Sequence, residues 1–76
     1  MKLDPEAPTA LPPGHYWATC RERTPMQALA KDHAALFPQA RCVSDGKRVV
    51  VFYRDGNEIW ACNALYAAVN FDIQPA

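Results

Sequence analysis

Residues 47 to 63 decide the fold of this chain, and they read Lys-Arg-Val-Val-Val-Phe-Tyr-Arg-Asp-Gly-Asn-Glu-Ile-Trp-Ala-Cys-Asn. Two runs rich in β-branched and aromatic residues flank Asp55-Gly56. An Asp-Gly step in this setting predicts a hairpin with a type I′ turn, which needs positive φ at both central residues. A second step, Asp45-Gly46, lies between residues 39–44 and the same central run. The stretch therefore predicts three antiparallel strands in a meander, with residues 49–53 in the middle.

The register of the two hairpins decides which side chains share a face, because a slip of one residue moves every side chain to the other side of the sheet. With two-residue loops at both Asp-Gly steps, one face is mostly apolar and is expected to lie beneath a helix. Its members are Ala40, Cys42, Val49, Val51, Tyr53, Glu58, Trp60 and Cys62. The opposite face then has an aliphatic and aromatic centre surrounded by arginines. Its members are Arg41, Val43, Arg48, Val50, Phe52, Arg54, Ile59 and Ala61.

A strand and a helix are predicted upstream of the meander. Residues 14–23 begin at a glycine and suit a strand that becomes polar at its end. Residues 24–27, Thr-Pro-Met-Gln, combine a Thr N-cap, a proline at the first helical position and a capping-box glutamine. An apolar stripe follows, and Pro38 is expected to end a helix of about thirteen residues. The stripe contains Met26, Leu29, Ala30, His33, Leu36 and Phe37. A strand-helix-strand connection also predicts a right-handed crossover.

The two ends of the chain complete the predicted architecture. Residues 1–13 hold four of the seven prolines and are interpreted as a flexible Pro-rich arm. Residues 14–76 are expected to form a single α+β domain. Residues 69–73 favour a fifth strand or an extended flap, whereas Asn63 could instead cap a short helix over residues 64–69. The predicted fold is thus a small antiparallel meander sheet of three to five strands with one helix on one face, in the order β-α-β-β-β.

Composition narrows the function classes. Eight Lys and Arg balance eight Asp and Glu among 76 residues, so net charge gives no indication of a nucleic-acid or membrane partner. No apolar run approaches the roughly 20 residues that span a bilayer, and the start lacks the apolar core of a secretory signal. A cytoplasmic location is therefore expected. Three cysteines without a Cys-x-x-Cys pair indicate reduced, buried thiols rather than disulfides or a zinc site.

The candidate catalytic residues do not form a recognisable constellation. His33 lies in the apolar stripe, where a core or boundary imidazole is the expected role, and His15 has no carboxylate spaced to orient it. The three glycines belong to turns or a strand start, so no Gly-rich phosphate loop precedes the helix. We therefore expect a non-enzymatic protein without cofactor or metal. A small metal- or thiol-dependent protein that uses Cys20, Cys42 and Cys62 is the least favoured alternative.

The open sheet face is the predicted binding site. Its residue types, arginine and aromatic or aliphatic side chains, are those found at protein interfaces. The predicted partner-binding residues are Arg41, Arg48, Phe52, Arg54 and Ile59, with Trp17, Arg21 and Arg23 expected alongside. Two partners fit this surface: a protein docked on the apolar centre, or a nucleic acid stacked on the aromatics. Pairing of edge strands between two copies would also give a homodimer.

A stand-alone chain of this length, with a capped helix over a meander sheet and a charged open face, is similar to compact inhibitors encoded by phages and mobile elements. Anti-CRISPR proteins are one such class. The resemblance covers length and layout and includes no motif, so no functional residue is transferred from that class. It implies a function exercised by occluding a larger host protein or nucleoprotein complex.

Overall fold

The computed structural model describes residues 11–76 as one antiparallel sheet with two helices. The strands are β1 (Gly14–Cys20), β2 (Gln39–Ser44), β3 (Val49–Arg54), β4 (Asn57–Asn63) and β5 (Phe71–Pro75). The helices are α1 (Pro25–Ala30) and α2 (Ala64–Asn70), and a 3-10 turn spans Ala34–Leu36. The strand order is β4-β3-β2-β1-β5, which confirms the α+β fold with a meander of β2, β3 and β4. Neither helix of this described region is long and apolar enough to cross a membrane.

β1 lies antiparallel to both β2 and β5. The right-handed crossover predicted between β1 and β2 is therefore wrong, because that handedness rule applies to parallel strands. The connection leaves and re-enters the sheet at the same end, where the Cys20 amide donates to the Pro38 carbonyl at 2.9 Å. A segment that returns to the end it left must continue as an antiparallel strand.

α1 begins where the sequence predicts and ends much earlier. The Thr24 hydroxyl accepts a hydrogen bond from the Gln27 amide at 3.1 Å, as an N-cap does. The Gln27 side chain reaches back to the Arg23 amide at 2.8 Å, one residue upstream of the usual capping-box donor. The predicted helix of thirteen residues is wrong, because Asp32 takes a positive φ of 64° and the His33 amide bonds back to the Ala28 carbonyl. Aspartate tolerates this left-handed conformation better than most residues do.

The shorter helix changes which apolar residues face the core. Ala28 is fully buried, whereas Met26 and Leu29 are 75% and 62% exposed and Ala30 is exposed as well, so the predicted stripe is wrong at these three positions. It is correct at His33 and Leu36, which are fully buried. Both of these residues lie beyond the end of α1, in the segment that contains the 3-10 turn.

The first Asp-Gly step forms a four-residue loop between β2 and β3, not a two-residue loop. The Asp45 carboxylate accepts hydrogen bonds from the amides of Lys47, Arg48 and Val49 at 2.7, 2.9 and 3.1 Å. The longer loop makes Cys42 the partner of Phe52. Because this register differs from the predicted one by an odd number of residues, every β3 side chain lies on the face opposite to the predicted one.

The second Asp-Gly step forms the predicted type I′ turn. Asp55 and Gly56 have φ values of 54° and 80° and connect β3 to β4 through a two-residue loop. A bulge then interrupts the ladder, since Tyr53 pairs with Glu58 while Phe52 pairs with Trp60. Ile59 is the extra residue, and from this point the register of β4 shifts by one.

The core lies between one face of the sheet and the segment formed by the 3-10 turn and α2. Its buried members are Leu11, Ala18, Cys20, Leu36, Ala40, Cys42, Val50, Phe52, Ala64, Ala67 and Phe71. Burial of a large side chain such as Phe52 or Phe71 contributes roughly 1.5–3 kcal/mol. In so small a domain these two rings carry a large share of the folding free energy.

The ordered domain extends further toward the N-terminus than the predicted boundary at Gly14. Leu11 is buried, and its carbonyl accepts a hydrogen bond from the Ser44 hydroxyl at 2.8 Å. The Pro12 carbonyl accepts one from the Tyr16 hydroxyl at 2.8 Å. Residues 1–10 of the predicted arm lie outside the described region.

Both interpretations of the tail hold in part. Asn63 caps α2, its side-chain oxygen accepting from the Leu65 amide at 2.8 Å. The extended segment begins at Phe71 as β5, so residues 69 and 70 are helical rather than extended.

Candidate functional site

One face of the sheet is left uncovered by the described elements. The 3-10 turn and α2 pack on the core face, and the opposite side chains of the central strands are exposed or half-buried. We call this surface the outer face. Its central members are His15, Trp17, Thr19, Arg41, Val43, Val51, Tyr53 and Ala61.

A row of large side chains crosses the outer face. Trp17 pairs with Arg41, and Arg41 pairs with Tyr53 on the next strand. The Arg41 guanidinium carbon lies 5.3 Å from the centroid of a Trp17 ring, within the range of a cation–π interaction. These three side chains also line a shallow depression of about 290 Å³ that extends to the β3–β4 turn. The row presents two aromatic surfaces on either side of a fixed positive charge.

A second row beside the first is apolar. Val43 pairs with Val51, and these two residues pair further with His15 on β1 and Ala61 on β4. Both valines are half-buried, which is typical of β-branched side chains on a pleated surface. The outer face therefore combines an apolar strip with an aromatic and cationic strip.

The structure does not bring the five predicted binding residues together. Arg41 lies on the outer face, as predicted. Phe52 is fully buried in the core, and Ile59 packs against the core at the bulge. Arg48 lies in the β2–β3 loop, and Arg54 extends over the core side to donate to the carbonyls of Ala35 and Gln39, both at 3.1 Å. The predicted surface is thus wrong as a unit, because the four-residue loop reverses the two faces of β3.

The same reversal explains which residues were assigned to the wrong face. Val51 and Tyr53 were expected on the helix-covered face and lie on the outer face instead. A usable signal was present in the sequence: Asp45 precedes a charged Lys47-Arg48 pair, and an aspartate carboxylate readily accepts the amides that follow it in a loop. This interpretation assigns the charged pair to the loop rather than to a strand.

The arginine near the β5 edge is partnered. Arg21 Nε lies 3.2 Å from Asp72 Oδ1, and both side chains are more than half exposed. Exposed pairs of this kind contribute little to stability, but they balance charge locally. Arg41 is therefore the cation at the centre of the outer face.

The three thiols lie on the core side. Cys20 and Cys42 are buried, Cys62 is half-buried, and all three are free. Burial raises the pKa of the Cys42 and Cys62 thiols to about 11, so both are protonated near neutral pH. Within residues 11–76 no three His, Cys, Asp or Glu side chains are placed to hold a metal ion. This environment is that of packed thiols rather than of activated nucleophiles.

Comparison with known proteins adds no constraint on the site: no family model, no curated protein and no solved structure matches this chain.

Proposed function

We propose that this protein is a small non-enzymatic binding module that docks on a larger protein through its outer face. The observation that carries the proposal is the Trp17–Arg41–Tyr53 row on the sheet face that the elements of residues 11–76 leave uncovered. Tryptophan, tyrosine and arginine are the residues most enriched among the dominant contacts of protein interfaces. Their backbones are fixed by strands on both sides, so little conformational entropy is lost when a partner binds.

Two features favour a protein over a nucleic acid as the partner. The apolar strip of Val43 and Val51 suits the centre of a protein interface, which is depleted in charge. The arginine at the β5 edge is neutralised by Asp72, and the whole chain has a net charge of zero. Nucleic-acid affinity depends on several unpaired cations that release counterions from the phosphates.

The mode of action that we propose is occlusion. A face built on strands that are paired on both sides suits a module that acts by covering a functional surface of its partner. This agrees with the similarity in size and layout to anti-CRISPR-type inhibitors, and the partner is then a larger host protein or nucleoprotein complex. The three free cysteines fit the reducing conditions of the cytoplasm, where we place the interaction.

A matched pair of charge reversals tests the proposal. Arg41 lies on the outer face and Arg48 in the β2–β3 loop, so Arg41→Glu and Arg48→Glu change the net charge equally at different places. Tagged variants are expressed in the native cell, crosslinked and analysed by quantitative mass spectrometry. We expect a defined protein that is enriched with the wild type and Arg48→Glu and lost with Arg41→Glu. Equal enrichment with both variants, or none with the wild type, would contradict docking through this face.

Single-stranded nucleic acid is the second candidate, because the stacked Trp17 and Arg41 pair resembles a platform for a base. Anisotropy of a labelled oligonucleotide, measured between about 50 and 200 mM salt, separates the two candidates. Binding that weakens steeply with salt and is lost in both Trp17→Ala and Arg41→Ala would establish the second candidate. If the wild type leaves the anisotropy of the oligonucleotide unchanged, docking on a protein remains the proposed function.

A further inference from the structure

A buried histidine connects two polar side chains on the core side of the sheet. His33 is fully buried, with Nδ1 2.8 Å from Glu22 Oε1 and Nε2 2.7 Å from the Tyr66 hydroxyl oxygen. The rings of Phe71 and Trp60 enclose the imidazole at centroid distances of 4.6 and 5.6 Å. Both ring nitrogens therefore have a hydrogen-bond partner, and these two hydrogen bonds fix the orientation of the imidazole.

The hydrogen bonds determine where the protons lie in the neutral imidazole. An ionised Glu22 carboxylate accepts hydrogen bonds and donates none, so Nδ1 of His33 carries the proton. Nε2 is then an acceptor, and the Tyr66 hydroxyl donates to it. The Tyr66 oxygen is left with lone pairs, so any further partner of this oxygen must be a hydrogen-bond donor. Cooperative polarisation along the chain strengthens this preference.

Tyr66 also lines a cleft of about 340 Å³. The other lining residues are Lys31, Asp32, Trp60, Cys62 and Asn63. The Trp60 and Tyr66 rings lie 6.1 Å apart, and burial keeps the Cys62 thiol protonated by raising its pKa to about 11. The Asn63 side-chain oxygen is used to cap α2, which leaves its amide group as a donor. The cleft thus combines an aromatic wall with two acceptor-bearing side chains, Tyr66 and Asp32, and with donors on Lys31 and Asn63.

We propose that the Glu22–His33–Tyr66 chain makes this cleft a binding site for small aromatic alcohols of the phenol class. The ligand ring lies against Trp60, and the ligand hydroxyl donates to the Tyr66 oxygen. The site is separate from the outer face, since Trp60 and Cys62 belong to the core side of β4. It therefore stands independently of the proposed protein docking.

Burial is the main cause that raises the pKa of Tyr66, and the neighbouring Cys62, Glu22 and Asp32 add to it. The Tyr66 hydroxyl therefore keeps its proton near neutral pH and can donate it to Nε2 of His33.

Phenol and anisole test the proposal, because they have the same aromatic ring but only phenol has an O–H group that can donate a hydrogen bond. Each is titrated near neutral pH into labelled protein while the Trp60 indole resonance is followed by NMR. We expect phenol to bind about tenfold more tightly than anisole, the size of effect of one hydrogen bond. Tyr66→Phe should abolish the difference, and Tyr53→Phe on the outer face should leave it unchanged. Equal affinities in the wild type, or no shift at Trp60, would overturn the proposal.

A measurement on the wild type is independent of how well the variants fold. The ¹⁵N spectrum of labelled His33 near neutral pH should show a protonated Nδ1 and an unprotonated Nε2. A proton on Nε2 would mean that the Tyr66 oxygen already accepts, and the proposal would fail on that result alone.

Discussion

The rings of Phe52 and Trp60 lie opposite each other on neighbouring strands, with centroids 5.4 Å apart and planes inclined at 65°. They meet on the core face because Ile59 is the extra residue of a bulge. In an unbroken ladder Trp60 would oppose Val51 and lie on the outer face. A single bulge residue thus adds a tryptophan to the aromatic cluster of the core.

Adjacent substitutions on β3 test this assignment of faces. Phe52→Ala should destabilise the protein by about 3–5 kcal/mol, because it leaves a cavity in the core. Tyr53→Ala, one residue further on the outer face, should cost less than half as much. Free energies of unfolding from urea titrations provide the measurement. A larger loss for Tyr53→Ala would indicate that the faces are reversed.

Two glycines with similar backbone conformations should respond differently to alanine. Gly46 and Gly56 have φ values of 76° and 80°, so alanine is strained at both, by roughly 1–2 kcal/mol. A Cβ at Gly46 would also lie 2.6 Å from the Pro13 ring, whereas a Cβ at Gly56 meets nothing within 4 Å. Gly46→Ala should therefore cost about 1–3 kcal/mol more than Gly56→Ala.

The difference between the two glycines can be assigned to Pro13. In a double-mutant cycle, Pro13→Gly should relieve part of the cost of Gly46→Ala. Thermal unfolding of the four proteins gives the coupling energy. Additive losses would show that Pro13 does not pack against the loop in solution.

Asp45 should make stability depend on pH in the acid range. The backbone amide of Lys47, followed by those of Val49 and Arg48, donates to its carboxylate and lowers the pKa below the ordinary value. A group with a lowered folded-state pKa stabilises the fold above its unfolded pKa of about 4 and loses this contribution as the pH falls through the folded value. Asp45→Asn should therefore be less stable than the wild type near neutral pH. The difference in free energy of unfolding between the two proteins, measured by urea titration at several pH values, should vanish in strong acid. A difference that does not change with pH would exclude the carboxylate charge as its cause.

Cys62 should react first among the thiols, and slowly. It is half-buried while Cys20 and Cys42 are buried, and its pKa is raised to about 11. Relative to a cysteine with the ordinary pKa of 9.0, its thiolate fraction near neutral pH is then about one hundredth. Iodoacetamide labelling followed by mass spectrometry should show modification at Cys62 that accelerates as the pH approaches 11. Faster labelling of Cys42 would contradict the burial order.

Local sequence signals predicted the helix caps and the tight turn better than the contacts between the elements. Thr24 caps α1, Asp55-Gly56 forms the type I′ turn, and Asn63 caps α2, because each depends on residues within one turn of chain. The end of α1 at Ala30, followed by the left-handed Asp32, was not predictable in the same way, since no glycine marks it. That end is fixed by the tertiary contacts of the buried His33 with Glu22 and Tyr66.

The candidate site was harder to predict than the fold, because it depends on which face of the sheet each β3 side chain occupies. The hydrophobic pattern of residues 49–53 is apolar at every position but the tyrosine, so periodicity does not distinguish its two faces. The loop at Asp45 decides the faces, and the carboxylate makes its contacts with backbone amides that a residue pattern does not display. The position of Arg41 on the outer face was predicted correctly, because Arg41 and Cys42 are neighbours in β2 and lie on opposite faces in either register.

The pairing of β5 with β1 has a consequence for the order of folding. Its partners, such as Trp17 and Gln74, are separated by most of the described chain, whereas the β3–β4 hairpin joins residues a few positions apart. Closing the longer loop costs more chain entropy and is a slower search. The meander can therefore assemble early, while β1 obtains its second neighbour and Phe71 reaches the core in a late step. The speed of folding is then set by the encounter of two segments from opposite ends of the domain.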